Sequence, residues 1–285
     1  MIDVIIPCYN AHKTIDRTLQ SICLQSIKDK LHVLLVDDCS KDNYDEFINR
    51  YNKQLDIDYI RLDENLGPGV AREEGIKHTS NKYITFMDAD DMYYSYEALE
   101  QLYNKIEEGY DTVNSKEYDQ KRSTFVMLTG NVHGKIYSRD FLVKHDIHFN
   151  NTRFHEDNYF NNLVILSDAK IGILNICTYL YYYNDKSVTN DNYTDFNNIG
   201  LFLSNMYDVL NIVKPKKPKK VRLIKYIADK YRYLYNMYQT FTDEQKKEFK
   251  EMLSKYDNDL ILYLDKKETS FLNALLSYTL DYVWE

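Results

Sequence analysis

Acidic residues cluster at three points of this 285-residue sequence, each beside a short apolar run. The clustered acids are Asp37 and Asp38 after LHVLLV, Asp88, Asp90 and Asp91 within FMDADD, and Glu156 and Asp157 within HEDNYF. Acids as dense as those in DADD are unfavourable unless they are solvated, paired or bound to a metal. Carboxylate oxygens suit Mg²⁺ or Mn²⁺, ions that also bind phosphates. The alternative is that Asp90 and Asp91 cap the helix that follows, a position where Asp is common.

The first hundred residues alternate strand-like and helical patterns. The predicted strands, which are β-rich and bounded by polar turns, are Ile2–Ile6, Val33–Val36, Tyr59–Leu62 and Tyr83–Met87. Apolar residues at helical spacing predict helices near 15–23, 70–78 and 99–106. Strands that alternate with helices form a parallel sheet covered on both faces. Because ligands bind at the carboxyl ends of such strands, the acids after the strands lie where a site is expected.

Mixed patterns follow as far as about residue 190, and helical patterns continue beyond it. Helices are predicted for 138–145 and 156–167, and strand-like runs occur at IGILNI and YLYYYN. An apolar stripe between Ile224 and Tyr238 predicts an amphipathic helix. Thr242 and Gln245 have the spacing of a capping box, and a last helix is predicted for Phe271–Tyr282.

Four motifs, each following a predicted strand, resemble those of family 2 glycosyltransferases with a GT-A fold. They are PCYN (Pro7–Asn10), VDDCS (Val36–Ser40), NLGPGVAREEG (Asn65–Gly75) and FMDADD (Phe86–Asp91). Three later motifs are similar to the rest of that pattern, notably in enzymes that build capsular and wall polysaccharides. They are HGKIYSRDFL (His133–Leu142), HEDNYF (His155–Phe160) and YYYNDKSVT (Tyr181–Thr189).

The resemblance covers roughly residues 1–190. It implies an α/β fold of GT-A type, Rossmann-like, with a mostly parallel sheet and helices on both faces. We expect a catalytic domain at 1–195, with a donor-binding half at about 1–110 and an acceptor half at about 111–195. An all-helical C-terminal extension is expected at 196–285.

The resemblance implies that the first motifs bind a nucleoside-diphosphate sugar. Pro7 would shape the strand end, Tyr9 would stack near the base, and Asp38 would accept a hydrogen bond from N3–H of uracil. Gly67 and Arg72 would mark the loop and helix near the diphosphate, with an ordinary ion pair as the alternative for Arg72. The expected donor is therefore a UDP-sugar.

The resemblance also implies a metal ligand and a general base. Asp88 would contact the ribose or the sugar, and Asp90 would hold Mn²⁺ or Mg²⁺ at the donor phosphates. Asp157 would take the proton of the acceptor hydroxyl in an inverting transfer, and Glu156 would orient Asp157 or the acceptor. The alternative for the latter two acids is a first helical turn, where the helix dipole favours them. Asp91 is expected to cap a helix, with a second metal ligand as the alternative.

Four further residues carry weaker expectations. His133 and His155 would line the pocket, with solvated surface histidines as the alternative. Lys186 and Ser187 fall where the family has a mobile loop over the diphosphate.

Two other protein classes compete with the glycosyltransferase interpretation. A dinucleotide oxidoreductase does not fit, because Gly67-x-Gly69 follows the third strand and lacks a third glycine at the required spacing. An inactive homologue that binds nucleotide sugars is the stronger alternative. The presence of Asp88, Asp90 and Asp157 together argues against it. For the acceptor, a bacterial surface glycan or wall polymer is expected, and a protein side chain or a modified nucleic-acid base is the alternative.

Charge and hydropathy limit the partners and the location. The net charge of -8 argues against binding to duplex DNA, which usually needs a dominant basic face. KPKKPKK (Lys214–Lys220) is expected to be a solvated linker or, alternatively, a contact for an anionic polymer or the membrane surface. The stripe at 224–238 would dock onto the catalytic domain or mediate a homo-oligomer. No leader pattern precedes MIDVIIP, and no window reaches the roughly 20 apolar residues of a membrane span. A cytoplasmic protein is therefore expected, and a location at the inner face of the membrane is the alternative.

Overall fold

The computed structural model describes residues 1–127, 130–183, 196–213, 216 and 218–255, apart from some side chains between 197 and 235. The chain divides into two compact units, Met1–Val164 with Ala169–Ser187 and Ile165–Asp168 with Val188–Glu285. The first unit contains the β-sheet. The domain boundaries expected from the sequence stay predictions.

Four parallel strands form one half of the sheet, in the order β3-β2-β1-β4. Their bounds are Ile2–Cys8 (β1), Leu31–Asp37 (β2), Asp56–Arg61 (β3) and Tyr83–Phe86 (β4). β1 is buried on both faces: Ile5 faces Gly75, whereas Val4 joins a core cluster with Leu19. Gly75 and Leu19 belong to different helices, which explains why β1 is a continuous apolar run rather than an alternating one.

The other half of the sheet mixes strand directions. Its strands are Met92–Tyr93 (β5), Thr112–Asp119 (β6), Thr124–Met127 (β7), Lys135–Ser138 (β8) and Ile171–Tyr181 (β9). β8 is antiparallel to both β4 and β6, and β6 is parallel to β9. β5 pairs with β9 and β7 pairs with β6, both antiparallel. The predicted α/β fold is confirmed, with parallel pairs in the first half of its sheet and mostly antiparallel pairs in the second.

Helices join the strands of the first unit. They are Ile15–Cys23 (α1), Asp45–Tyr51 (α2), Pro68–His78 (α3), Ala98–Ile106 (α4), Arg139–Lys144 (α5) and Glu156–Leu166 (α6). α3 starts after Gly67, whose φ of 96° favours glycine. Pro68 then occupies the first helical turn, where its missing N–H costs nothing.

The described part of the second unit is helical. Its helices are Ile199–Val213 (α7), Lys220–Thr240 (α8) and Asp243–Ser254 (α9). Thr242 and Gln245 form the predicted capping box, and Ala228 and Leu234 of the predicted stripe are buried. The helix predicted for Phe271–Tyr282 lies outside the described residues, as does most of the basic run 214–217. Among the helices that the structure describes, none has the length and apolarity needed to cross a membrane.

His32 on β2 belongs to an ion-pair network in the first unit. Its Nδ1 lies 2.7 Å from Oδ1 of Asp3, and its Nε2 lies 3.2 Å from Oδ2 of Asp58. Asp3 is fully buried and also accepts the backbone N–H groups of Ser80 and Asn81. Burial lowers the pKa of His32, but the hydrogen bond and charge of Asp3 outweigh it, so the pKa of His32 is raised.

We therefore expect His32→Gln to destabilise the protein most at acidic pH. Because the folded pKa is raised above the unfolded value, the stabilisation is fully present below about pH 6.5 and is lost as the pH rises through the folded pKa. Urea unfolding across pH should give a difference of about 1–2 kcal/mol in acid. His12→Gln, at an exposed histidine, is the control. A penalty for His32→Gln that stays constant with pH would contradict this assignment.

Candidate active site

The residues predicted to bind the donor base lie at the carboxyl ends of the parallel strands. Pro7 belongs to β1, and Tyr9 follows it with 51% of its surface exposed. Asp38 follows β2, and Asp88 follows β4. Because β1 pairs with both β2 and β4, these strand ends meet at one edge of the sheet, where α/β proteins bind ligands.

Asp38 holds the loop that precedes α3. Its two carboxylate oxygens accept hydrogen bonds from the backbone N–H groups of Leu66 and Gly67, each at 2.8 Å. A carboxylate oxygen has more than one acceptor position, so Asp38 can bind this loop and a nucleobase together. The neighbouring Asp37 is fully buried and forms an ion pair of 2.6 Å with Arg61, which makes it part of the scaffold.

Arg72 on α3 joins three acids of the predicted site. Its Nη2 donates to Oδ1 of Asp88 at 2.8 Å, and its Nη1 donates to Oε1 of Glu156 at 3.0 Å and to Oδ1 of Asp157 at 2.9 Å. Burial opposes the charged form, but the carboxylates of Asp157, Asp88 and Glu156 raise the pKa of Arg72 above its ordinary range. One buried guanidinium therefore brings the donor-side acid and the predicted base together.

His133 approaches the second oxygen of Asp88. Its Nδ1 lies 3.4 Å from Oδ2 of Asp88, and its Nε2 lies 2.8 Å from Oε2 of Glu117. Burial lowers the pKa of His133, but the carboxylates of Asp88 and Glu117 raise it to about 10. The two acids therefore favour the charged imidazole. Although burial alone would raise it, the pKa of Asp88 is held well below its usual range by Arg72 and His133.

Asp91 does not cap a helix, so that prediction is wrong. α4 begins only at Ala98, and Asp91 is instead fully buried, accepting bonds from the Tyr179 hydroxyl at 2.7 Å and the Tyr182 N–H at 2.8 Å. Burial, followed by the charges of Asp88 and Asp90, raises the pKa of Asp91. Its carboxyl group fixes the turn after β4 to the end of β9.

Two side chains of α1 also form hydrogen bonds with the turn after β4. Arg17 donates from Nη2 to the backbone oxygen of Asp90, and Thr18 donates from its hydroxyl to that of Asp91 at 2.7 Å. The guanidinium of Arg17 also lies 3.7 Å from the centre of the Tyr182 ring. Arg17 cannot be identified from the sequence, because a single basic residue within an amphipathic helix carries no signal of a contact 73 residues away.

The side chains at the turn after β4 suit a metal ion that is also bound by a substrate. Among the described residues, no three His, Cys, Asp or Glu side chains form a ready metal site. Asp88 already binds Arg72, whereas Asp90 is half-buried at the turn. Mg²⁺ usually binds proteins through one or two carboxylates and completes its shell with substrate phosphates and water. The residues present fit that mode and not a closed protein cage.

Glu156 and Asp157 open α6 and differ in their surroundings. The side chain of Glu156 is 11% exposed and that of Asp157 is 22% exposed. Burial, followed by the charge of Asp157, raises the pKa of Glu156, and Arg72 opposes that shift. Gly69 packs so closely that a Cβ there would lie 2.9 Å from Cγ of Glu156.

The remaining predicted residues have mixed outcomes. His133 is buried within the acidic cluster, whereas Glu117, its partner, was not identified from the sequence. His155 is buried immediately before α6 with a positive φ of 64°. Lys186 and Ser187 lie outside the described residues.

The site is thus a set of acids at the carboxyl ends of the parallel strands of an α/β sheet, the place where such folds bind ligands, and comparison with known proteins gives the family. The family description "Glycosyl transferase family 2" matches residues 3–156. The chain therefore belongs to glycosyl transferase family 2, which confirms the resemblance seen in the motifs.

Curated relatives share part of this chain. Poly(ribitol-phosphate) beta-N-acetylglucosaminyltransferase TarS of Staphylococcus aureus (strain MW2) is 27% identical over 199 residues, which cover 62% of this chain and 35% of TarS. Poly(ribitol-phosphate) beta-glucosyltransferase of Bacillus spizizenii is 26% identical over 254 residues, which cover 80% of this chain and 39% of that protein. The chain thus spans little more than a third of the length of these relatives.

A solved structure supports the fold over almost the whole chain. The crystal structure of S. aureus TarS 1-349 in complex with UDP-GlcNAc has a TM-score of 0.79 and 20% identity, covering 98% of this chain and 88% of that one. At this identity the likeness establishes the GT-A fold.

Proposed function

We propose that this protein is an inverting glycosyltransferase that moves a sugar from a UDP-sugar to a hydroxyl group of a phosphate-bearing wall polymer. The observation that carries the proposal is the Arg72 guanidinium, which hydrogen-bonds both Asp88 and Asp157. A transfer in one displacement needs the donor and one proton-accepting carboxylate at the same point. Arg72 joins the acid expected at the donor to the acid expected at the acceptor.

Donor binding is assigned to the strand ends. Pro7 and Tyr9 flank the nucleobase, and Tyr9 has the exposed ring needed to stack on it. Asp38 accepts from N3–H of uracil while it holds the loop at Gly67. The relative whose structure matches here was solved with UDP-GlcNAc, which supports a UDP-sugar as the donor.

Asp90 is assigned as the protein ligand of Mn²⁺ or Mg²⁺, together with phosphate oxygens of the donor. Such an ion, when bound, offsets the charge of the leaving UDP. Asp157 takes the proton from the acceptor hydroxyl as it attacks the anomeric carbon. Arg72 holds the Asp157 carboxylate for that step through the bond to its Oδ1, and Glu156 acts through Arg72, whose Nη1 it also accepts from.

The acceptor is proposed from the relatives together with the basic run Lys214–Lys220. Both relatives carry poly(ribitol-phosphate) in their names, which favours a polyanionic acceptor over a protein or a nucleic-acid base. We propose that the basic run Lys214–Lys220 contacts this polymer, with the membrane surface as the alternative. Polymer and vesicle binding as a function of salt would distinguish the two, and light scattering would test for a homo-oligomer.

The proposal predicts turnover that depends on uracil and on a divalent ion. The protein should consume UDP-sugars in preference to CDP- and GDP-sugars, because cytosine has no N3–H to donate to Asp38. EDTA should abolish turnover and Mn²⁺ or Mg²⁺ should restore it. Asp90→Asn should lose roughly 100-fold or more while its circular dichroism stays unchanged.

The matched control is Asp29→Asn, an exposed acid just before β2 and thus at the opposite end of that strand from Asp38, which should keep parental turnover. Full activity in excess EDTA would refute the metal assignment. Equal use of all three nucleotide sugars would refute the assignment of Asp38. An absence of turnover with any nucleotide sugar would favour the inactive binding homologue.

A further inference from the structure

A buried polar cluster lies against the first turns of α6. It consists of Lys135 and Tyr137 from β8 and Asn161 from α6, which are 1%, 0% and 4% exposed. Oδ1 of Asn161 accepts hydrogen bonds from Nζ of Lys135 and from the hydroxyl of Tyr137, both at 3.1 Å. The proposed chemistry gives these side chains no role, although their burial is costly unless their polar groups are paired.

The amide nitrogen of Asn161 connects two backbone segments. It donates to the backbone oxygens of Gly130 at 2.7 Å and of Asn131 at 2.9 Å. The backbone oxygen of Asp157, one helical turn earlier, lies 3.0 Å from the same nitrogen, so two N–H groups serve three acceptors and one hydrogen bond is shared. Asn161 therefore joins the residue proposed as the base to the segment that leads into His133.

These contacts close a ring around Asp88. Arg72 joins Asp157 to one carboxylate oxygen of Asp88, and His133 approaches the other. Asn161 completes the ring, because it holds both Asp157 and the segment before His133. Two separate routes thus fix the base relative to the donor-side acid.

We propose that Asn161, oriented by Lys135 and Tyr137, is a positioning residue that sets Asp157 and His133 relative to Asp88 during sugar transfer. The inference rests on the proposed function. Asn161 acts through Asp157 and His133, and its effect must therefore disappear when those residues can no longer do their work.

Asn161→Asp tests this directly, because Asp keeps the size of the side chain but directs an acceptor oxygen at three carbonyls instead of donor N–H groups. We expect kcat for transfer to fall roughly 10-fold or more, while KM for the UDP-sugar and the affinity for UDP stay within a few-fold. In an Asp157→Asn background the same change should have almost no further effect on kcat. Asn162→Asp, at the next and half-exposed position of α6, is the matched control with parental kcat.

Tyr137→Phe is a second variant that only removes the hydroxyl group, and it should lower kcat by a smaller factor with the same unchanged KM. Parental kcat in both variants would overturn the inference. So would a loss from Asn161→Asp that persists in full in the Asp157→Asn background, because that loss would be merely structural.

A thermal-unfolding cycle of Asn161→Asp with His133→Gln provides a readout without turnover. If Asn161→Asp shifts Tm much less in the His133→Gln background than in the parent, the coupling is supported. If the two shifts are additive, the coupling is overturned. If the parent protein transfers no sugar, the proposed function fails, and this cycle still decides whether Asn161 and His133 are coupled.

Discussion

Asp157→Asn is expected to reduce sugar transfer by roughly 100-fold or more while the affinity for the UDP-sugar stays within a few-fold. The Asn side chain keeps an oxygen that can accept from Nη1 of Arg72, a bond of 2.9 Å in the parent. It cannot take a proton, so the loss falls on the acceptor step. Calorimetry with UDP and initial rates of transfer measure the two effects separately.

The control for this variant is Asp140→Asn, which changes an exposed acid in the first turn of another helix, α5. It should leave transfer unchanged, which separates proton transfer from the helix-dipole effect of a first-turn acid. The product should have the anomeric configuration inverted relative to the donor. A retained configuration, seen in NMR coupling constants, or near-normal transfer by Asp157→Asn would show that the base is assigned wrongly.

Arg72→Met should cost about 3–5 kcal/mol of stability, the range for a buried ion network that loses one partner. The variant leaves Asp88, Glu156 and Asp157 without the guanidinium that all three contact in the parent. Arg72 lowers the pKa of Asp88 in the folded protein. The stabilisation that comes from the Arg72–Asp88 ion pair is therefore present above the pKa of Asp88 in the unfolded chain, and it is lost as the pH falls through the pKa of Asp88 in the folded protein. The difference between parent and variant should therefore narrow in acid.

Arg50→Met is the matched control, because Arg50 forms an exposed ion pair of 2.7 Å with Asp16. Exposed pairs contribute about 0–1 kcal/mol, so denaturant unfolding should separate the two variants clearly. Arg72→Lys keeps the charge without the planar fork and should fall between the parent and Arg72→Met. If Arg72→Met lowers the free energy of unfolding by no more than Arg50→Met does, the ion pairs of Arg72 with the three acids do not stabilise the fold.

Local sequence patterns predict the parallel half of the sheet and many of the site residues at the carboxyl ends of its strands. Short apolar runs identify β1 and β4, and Gly67 with Pro68 marks the start of α3. α2 buries only Phe47 and Tyr51, too few residues for a helical period to be recognised. The runs IGILNI and YLYYYN read as separate strands, yet β9 continues from Ile171 to Tyr181.

The contacts among the site residues are harder to predict than the residues themselves. Glu117 looks like an ordinary strand residue until the pairing of β6 with β8 brings it to His133. Asp91 looks like a helix cap because its partner, Tyr179, lies 88 residues further along. Both depend on which strands pair, and a single sequence does not specify that pairing.

The separation of Arg72 from its acidic partners along the chain has a consequence for synthesis. Arg72 lies 84 and 85 residues before Glu156 and Asp157. Closing so long a loop costs chain entropy before any contact is formed, and such non-local contacts slow folding. A nascent chain that has not yet emerged through α6 contains Arg72 and Asp88 but lacks Glu156 and Asp157. The centre can therefore form only after most of the first unit has left the ribosome.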